Sequence, residues 1–269
     1  MRARISYSLA PDLPALELVC ADYEAQRFRS HWHAGFTIGA VTRHAQGFRC
    51  EGVEWTAGAD ELIVLNPMQV HDGYSLGTGW STRMVYLPEQ TFAHMLGAEA
   101  GAAGTIGRFE RPVLRDAALH ALFVAWHRAM DGACGVAENA LTRSLFRRLG
   151  LALTASAHAS PTAHDAARSE RLGALAGEGS HAADERAAPA SRSTTWRRSK
   201  RELGLAPKVL TSQLRLIAAK RMLAEGASVV DAALECGYHD QSHFSREFAA
   251  AYGITAGQFR RVQQDRQRG

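Results

Sequence analysis

The sequence predicts an α+β multidomain chain: a β-rich N-terminal barrel or sandwich, a helical connector and an all-α C-terminal domain. Three observations predict it. Short apolar runs broken by glycine-bearing turns fill residues ~15–90. Apolar residues then recur at helical spacing from ~110 to 156. From ~169 the pattern stays helical to the end, broken at Gly204/Pro207, Gly226, Gly237 and Gly253.

The β-rich part rests on the runs Phe36–Val41, Leu62–Leu65 and Met84–Leu87, separated by the expected turns Ala45-Gln46-Gly47, Thr56-Ala57-Gly58 and Leu76-Gly77-Thr78-Gly79. It is assigned residues 1–108. The connector, 109–156, carries two helical stripes: Leu119, Leu122, Phe123 and Trp126, then Leu141, Leu145, Leu149 and Leu153. Such stripes bury against the barrel or against a second subunit. Residues 157–168 lack large apolar side chains and read as a linker, leaving 169–269 as the helical domain.

Composition bounds the function. At 269 residues, 46% hydrophobic and 22% charged, the chain can bury a proper core. No run approaches the roughly 18 apolar residues of a membrane helix, and no apolar signal core follows Met1. The four cysteines, Cys20, Cys50, Cys134 and Cys236, never form a CxxC pair. A cytoplasmic protein without membrane attachment is therefore expected. Charge is divided: residues 192–269 hold 14 Lys/Arg against 7 Asp/Glu, a net +7, and residues 1–191 hold 17 against 20, a net −3. A polyanion partner at the C-terminal end, or simply a solvated basic surface, would account for that. No P-loop, GxGxxG or Ser/His/Asp set is present.

The most informative stretch is Ser228–Phe248. A first helix would bury Val229, Ala232, Ala233 and Cys236 and end at Gly237. Asp240 can cap a second helix, which puts Phe244, Phe248 and Tyr252 on one face at i, i+4, i+8. Ser242 and Arg246 then point away, with His243 on the flank. A tightly turned helix pair with short polar groups and one Arg facing outward is what major-groove reading requires. An ordinary helical hairpin would share the pattern.

Gly237-Tyr-His-Asp-Gln-Ser-His-Phe-Ser-Arg-Glu-Phe248 and Tyr252-Gly-Ile-Thr-Ala-Gly-Gln-Phe-Arg260 resemble the signature of the AraC family of bacterial transcription activators. Arg201–Pro207 and Leu214–Gly226 are similar to the end of that family's first recognition helix and to its long connecting helix. The resemblance covers ~170–262. It implies two helix-turn-helix units entering adjacent major-groove segments. By position, Gln241, Ser242, His243 and Arg246 of the second unit would face the DNA. Ala256 stands where the family usually has Pro. In the first unit the recognition helix would span Ser191–Glu202, with Ser193, Trp196 and Arg197 facing the groove. There Thr195, Ser199 and Asp184 replace buried apolar residues of the family, and Pro189 replaces a turn Gly. Either Trp196 rotates inward to refill the core, or the unit is loose away from DNA.

His31-Trp32-His33 and, further on, Asn66-Pro67-Met68-Gln69-Val70-His71 form a second pattern. On a strand His31 and His33 share a face, and His71 could converge on them. This resembles the cupin barrel found at the N-terminus of many AraC-type sensors. The carboxylate that metal-binding cupins place after His-x-His is missing from Ala34-Gly-Phe-Thr-Ile38. Three imidazoles could still hold Zn²⁺ or Fe²⁺; otherwise they line an effector pocket. His31, His33, Phe36, His71 and Arg83 are the candidate effector-binding residues, and Trp32, Trp55, Tyr74 and Tyr86 further candidate walls.

The resemblance implies a DNA-binding transcription regulator, an activator by family habit, that responds to a small-molecule effector and performs no catalysis. Its expected partners are an operator duplex, the effector and RNA polymerase, with homodimerisation through the connector. No cofactor is expected beyond the metal the histidines might take. The alternative is a metal-dependent cupin enzyme fused to a DNA-binding domain.

Overall fold

The computed structural model describes residues 3–10, 13, 16–97, 106–131, 140–156 and 205–268. The chain divides into two compact units, residues 1–160 and 161–269.

Among the described residues the first unit forms an antiparallel, cupin-like sheet of eight strands: β1 Ala3–Leu9, β2 Glu17–Tyr23, β3 Arg27–His31, β4 Phe36–Cys50, β5 Val53–Gly58, β6 Leu62–Leu65, β7 His71–Leu87 and β8 Val113–Leu114. The long strands β4 and β7 pair along nearly their whole length, from Phe36 opposite Leu87 to Cys50 opposite His71. One end of this pair extends the order β1-β2-β7-β4-β6-β8, while β3 joins β7 and β5 joins β4 at the other end. Two layers built from the same two strands result.

Bulges make this possible. The register shifts between Val41 and Arg43 and again between His44 and Gln46, and His44 has φ 60°. An extra residue in one strand bends the pair and sharpens its twist. The turn expected at Ala45-Gln46-Gly47 is thus a bulged stretch of continuous strand. The reversal falls at Glu51-Gly52, whose φ values of 51° and 87° suit a tight primed hairpin turn. Leu76–Gly79 likewise lies within β7. At Gly79, φ is 110° and a Cβ would sit 2.0 Å from the Tyr23 carbonyl, so only glycine fits.

Alternation gives each strand an inner and an outer face. Outer residues Leu18, Ile38, Ala40, Leu62, Val64, Val85 and Leu87 form one core with three helices, α1 Glu89–Met95, α2 Ala117–Met130 and α3 Ala140–Ser156. Phe123 and Trp126 of α2 and Leu145, Phe146, Leu149 and Leu153 of α3 join it. The connector stripes therefore bury against the sheet. Asp116 caps α2 by accepting the Leu119 N–H at 2.9 Å. β6 is buried on both faces, which explains its unbroken run Leu-Ile-Val-Leu. The inner face holds Val41, Phe48, Cys50, Ala57, Ile63 and Leu65 in one cluster and Val19, Ala21, Tyr23 and Trp80 in another.

The second unit contains α4 Pro207–Ala224, α5 Val229–Glu235, α6 Gln241–Tyr252 and α7 Ala256–Arg268. Pro207 occupies the first turn of α4, where its missing N–H costs nothing. Gly226, Gly237 and Gly253 all have positive φ, at 103°, 76° and 76°. After α5, the Gly237 N–H donates to the Leu234 carbonyl and the Tyr238 N–H to the Ala233 carbonyl, each at 3.0 Å. That paired bonding is the Schellman helix stop. At Ala256, Thr255 and Gln258 replace the family's proline: the Gln258 N–H donates to Thr255 Oγ1 at 3.2 Å, and the Thr255 N–H to Gln258 Oε1 at 2.9 Å. This reciprocal capping box starts α7 without a fixed φ.

Candidate functional site

In the helical unit, the site is the outer face of α6. Asp240 opens the helix by accepting the His243 N–H at 2.7 Å, and that bond holds the Asp240 carboxyl below its usual range. Phe244 and Phe248 are fully buried, with their rings 5.5 Å apart. Phe244 packs on Tyr238 at 5.1 Å and Phe248 on Tyr252 and Phe259 at 4.6 and 5.9 Å. Lys220 of α4 lies 4.7 Å over the Tyr252 ring. These anchors fix the helix's rotation. Gln241, Ser242, His243 and Arg246 are in consequence all exposed. His243 is also held sideways, its ring edge on Tyr238 at 5.4 Å and its Nε2 3.7 Å from Glu247. Glu247 faces inward, accepting from Ser212 at 2.7 Å and Tyr238 at 3.2 Å. Ser193, Trp196 and Arg197 lie outside the described residues.

In the sheet unit, the structure brings His31, His33 and His71 together: one ligating atom from each lies within 4.8 Å of the others. Ring centroids are 4.3 Å apart for His31–His71, 4.9 Å for His31–His33 and 5.2 Å for His33–His71, and Tyr86 packs on His33 at 4.7 Å. Strand β3 supplies His31 and the first residue of β7 supplies His71, across the pairing His31↔His71. His31 Nδ1 donates to the Arg29 carbonyl at 2.8 Å and His71 Nδ1 to the Gln69 carbonyl at 2.9 Å. A carbonyl only accepts, so each Nδ1 carries the proton and each Nε2 keeps its lone pair. Burial pushes the His71 imidazole well below its ordinary value, with neighbouring His31 adding to the shift. Burial also lowers His31, against the opposing pull of its Arg29 bond and of Asp72. His31 and His71 therefore favour the neutral form, each with a lone pair on Nε2, and beside His33 they can hold either a hydrogen-bonding ligand or a metal ion.

Two residues grouped with these histidines on sequence stand elsewhere. Phe36 and Arg83 lie on the outer face, because Phe36 pairs with Leu87 and Ala40 with Arg83 in the register of the helix-covered side. Phe36 is buried against Phe92 at 4.5 Å and Phe109 at 6.1 Å. Arg83 donates to His127 of α2 at 3.3 Å. Tyr74 lies across Gly47 and donates to Glu54 at 2.7 Å. Trp55 packs with the inner cluster and Trp32 is buried.

The turn before His71 is a further structural element of this site. The Met68 N–H donates to the His33 carbonyl at 2.8 Å, with Met68 at φ 62°, an uncommon conformation for a non-glycine residue. Asn66 holds this turn from below. Its Nδ2 donates to the Phe109 carbonyl at 2.9 Å, and its Oδ1 accepts the Phe109 N–H at 2.8 Å. Phe109 belongs to the helix-packed core. Inside the sheet, Thr37 Oγ1, Gln46 Oε1 and Trp80 Nε1 are buried without a hydrogen-bond partner.

A cupin-like sheet with a polar cluster, followed by a capped helix-turn-helix, defines a class: a regulator with a ligand-binding domain and a DNA-binding domain. The AraC-like ligand binding domain family matches residues 13–152 and a helix-turn-helix domain family matches 186–262. The chain belongs to the AraC family of transcription regulators. The HTH-type transcriptional regulator MtrA of Neisseria gonorrhoeae is 33% identical over 76 residues, 28% of this chain and a quarter (25%) of that protein's length. Among solved structures, ToxT of Vibrio cholerae O395 bound to (E)-4-(8-methylnaphthalen-1-yl)but-3-enoic acid matches 97% of this chain and 98% of its own, with TM-score 0.57 and 9% identity. Unsaturated fatty acid bound ToxT from strain SCE256 matches 97% and 95%, with TM-score 0.54 and 11% identity. At these identities the likeness is one of fold. Among the described residues no helix is long and apolar enough to cross a membrane.

Proposed function

We propose that this chain is a sequence-specific transcription regulator that reads duplex DNA through the outer face of α6 and is governed by a small molecule bound in its cupin-like sheet. The observation that carries the reading is the rotation of α6. Phe244 and Phe248 are fully buried, which leaves Gln241, Ser242, His243 and Arg246 exposed on the face that a major groove would meet. Short side chains at the helix start allow close approach, the helix N-terminus favours phosphate, and Arg can fork onto guanine or hold the backbone. Ser193, Trp196 and Arg197 are the proposed readers of the first helix-turn-helix unit. The net +7 of residues 192–269 suits a polyanion.

The sensing half of the reading is supported by the histidine cluster and by the hydrogen-bonded turn that links it to the helices. A ligand that reorganises His33 or His71 works on Met68, hence on Asn66 and on Phe109. Phe109 packs within 6.4 Å of Phe92, and Phe92 within 5.8 Å of Phe146 on α3. For the sensor to regulate, the ligand must favour one arrangement of this layer over another. ToxT structures that hold carboxylic acids support a small-molecule effector here too. Activation through RNA polymerase, assembly as a homodimer, a cytoplasmic setting, a connector at 109–156 and a linker at 157–168 complete the proposal. No reaction is assigned to the sheet domain.

The test is retardation of DNA from immediately upstream of the chain's own gene, with and without metabolites that stabilise the protein in a thermal-shift screen. Specific retardation that a stabilising metabolite strengthens or weakens is expected. Equal affinity for that DNA and for random DNA of the same length would refute the proposal.

A further inference from the structure

Behind the exposed face of α6 sits a carboxylate that faces inward. We propose that Glu247 is a positioning residue for DNA reading: tied to α4 and to the turn before α6, it holds the His243 imidazole in one tautomer, so that His243 Nδ1 selects a base carrying an exocyclic amino group, adenine or cytosine, over guanine or thymine. The inference rests on reading α6 as the helix that enters the major groove, and it names the base chemistry that one of its side chains takes.

Three observations carry it. First, Glu247 joins three parts of the helical unit. Its Oε2 accepts the Ser212 hydroxyl of α4 at 2.7 Å and the Tyr238 hydroxyl of the turn at 3.2 Å. Tyr238 is buried, and burial, reinforced by that carboxylate, pushes its phenol above the ordinary range, so it stays a donor. Two hydroxyls thus hold one end of the carboxylate and leave Oε1 for α6. Second, Oε1 lies 3.7 Å from His243 Nε2, one helical turn earlier, and the His243 ring rests on Tyr238 with centroids 5.4 Å apart. A carboxylate only accepts. A lone pair on Nε2 would be repelled by it, so Nε2 carries the proton and the neutral imidazole keeps its lone pair on Nδ1. Third, Nδ1 has no hydrogen-bond partner among the described residues, and His243 is exposed. The backbone N–H of the same residue is taken by Asp240 at 2.7 Å, which fixes His243 in the first turn of the helix.

The tautomer decides what the ring can read. A bare Nδ1 is an acceptor. In the major groove adenine N6 and cytosine N4 present amino donors, while guanine O6 and thymine O4 are acceptors. An acceptor set against a keto oxygen leaves two desolvated groups unpaired, and such a mismatch costs more than a good pair gains. Glu247 therefore acts on the DNA only through His243, and Ser212 and Tyr238 keep it from turning outward.

The experiment uses the full chain at pH 8, where imidazoles are ordinarily neutral, and selects binding sites from a randomised duplex library with wild type, His243→Ala and Glu247→Gln. Wild type is expected to favour A or C by about 5–10-fold at one position on one strand, and His243→Ala to flatten the preference there and nowhere else. Glu247→Gln keeps an acceptor for the two hydroxyls, but its amide turns an N–H toward His243. Nε2 must then accept, the proton moves to Nδ1, and the preference at that same position should shift to G or T. A purely structural role for Glu247 would weaken every position alike. Should Glu247→Gln fold poorly, the wild-type chain decides. Replacing the selected adenine by unsubstituted purine, or the selected cytosine by 2-pyrimidinone, deletes the amino group and should cost about 5–10-fold; unchanged affinity overturns the inference. Three further results overturn it while leaving the regulator reading intact: a selected site untouched by His243→Ala, a wild-type preference for G or T where His243→Ala flattens it, or a folded Glu247→Gln chain that selects as wild type does. A chain that enriches no sequence at all sinks the regulator reading itself, and this inference with it.

Discussion

His127 of α2 makes the docking of the helical layer sensitive to acid. Its Nε2 donates to the Met84 carbonyl at 3.1 Å and its Nδ1 accepts from Arg83 at 3.3 Å. Both ring nitrogens are committed in the neutral form, and a second proton would face a guanidinium. Burial lowers the imidazole pKa to about 4, with Arg83 reinforcing the shift. The unfolded chain titrates near 6.5, so between these values it binds a proton that the native state refuses. Stability is therefore fully present above about pH 6.5 and is lost as pH falls toward 4. The linkage relation gives a loss of about 2 kcal/mol between pH 7.5 and 5, and about 3 kcal/mol once both states are charged. His31 and His71, also lowered, add to the trend. The assay is urea unfolding followed by tryptophan fluorescence, which reports this unit because four of the five tryptophans, Trp32, Trp55, Trp80 and Trp126, lie in it. His127→Gln keeps a donor for Met84 but does not titrate. It should flatten the pH dependence between 7.5 and 5 by about 2 kcal/mol. Equal pH dependence in variant and wild type would refute the reasoning.

Other predictions follow from single packing and bonding facts. Phe248→Ala removes a fully buried ring; it should destabilise the helical unit by about 3–5 kcal/mol and abolish DNA retardation, as far-UV circular dichroism during denaturation would show. Asp240→Ala removes the cap on the His243 N–H and should lower the denaturation midpoint of the helical unit. Asn66→Ala strands the Phe109 N–H and carbonyl. It should cost about 2–4 kcal/mol in the sheet unit and weaken the effector's influence on DNA binding, while leaving the ligand-free affinity near wild type in retardation assays.

What could be read from the sequence and what could not divides along local and non-local physics. Helix ends at Gly226, Gly237 and Gly253 and the Phe244/Phe248 anchor depend on neighbours within a turn or two, so their residues announce them. The convergence of His31 and His33 follows partly from alternation. His71 joins them only through strand pairing, which the sequence does not state. Phe36 and Arg83 show the limit. Which face a strand residue occupies depends on the register of β4 against β7, and bulges at Val41/Arg43 and His44/Gln46 reset that register where composition suggested a turn. His31, His33 and His71 stand in sequence patterns that point to a pocket or a metal, whereas His120 and His127 clamp α2 to the sheet through the Val41 and Met84 carbonyls. Nothing in their helical spacing distinguishes that role. The departure at Ala256 proved benign because Thr255 and Gln258 supply the stop-and-start that proline would have given.

Affinity for upstream DNA, measured across salt concentration for Arg246→Ala, tests most directly whether the exposed face of α6 meets DNA. Arg43→Ala, in the sheet unit and bonded to Ser81, serves as the charge-matched control. The predicted result is a loss of about 1–3 kcal/mol for Arg246→Ala alone, with a shallower salt slope if the contact is to phosphate and relaxed sequence preference if it is to a base. Unchanged affinity and selectivity in a folded Arg246→Ala chain, or an equal loss in Arg43→Ala, would contradict it.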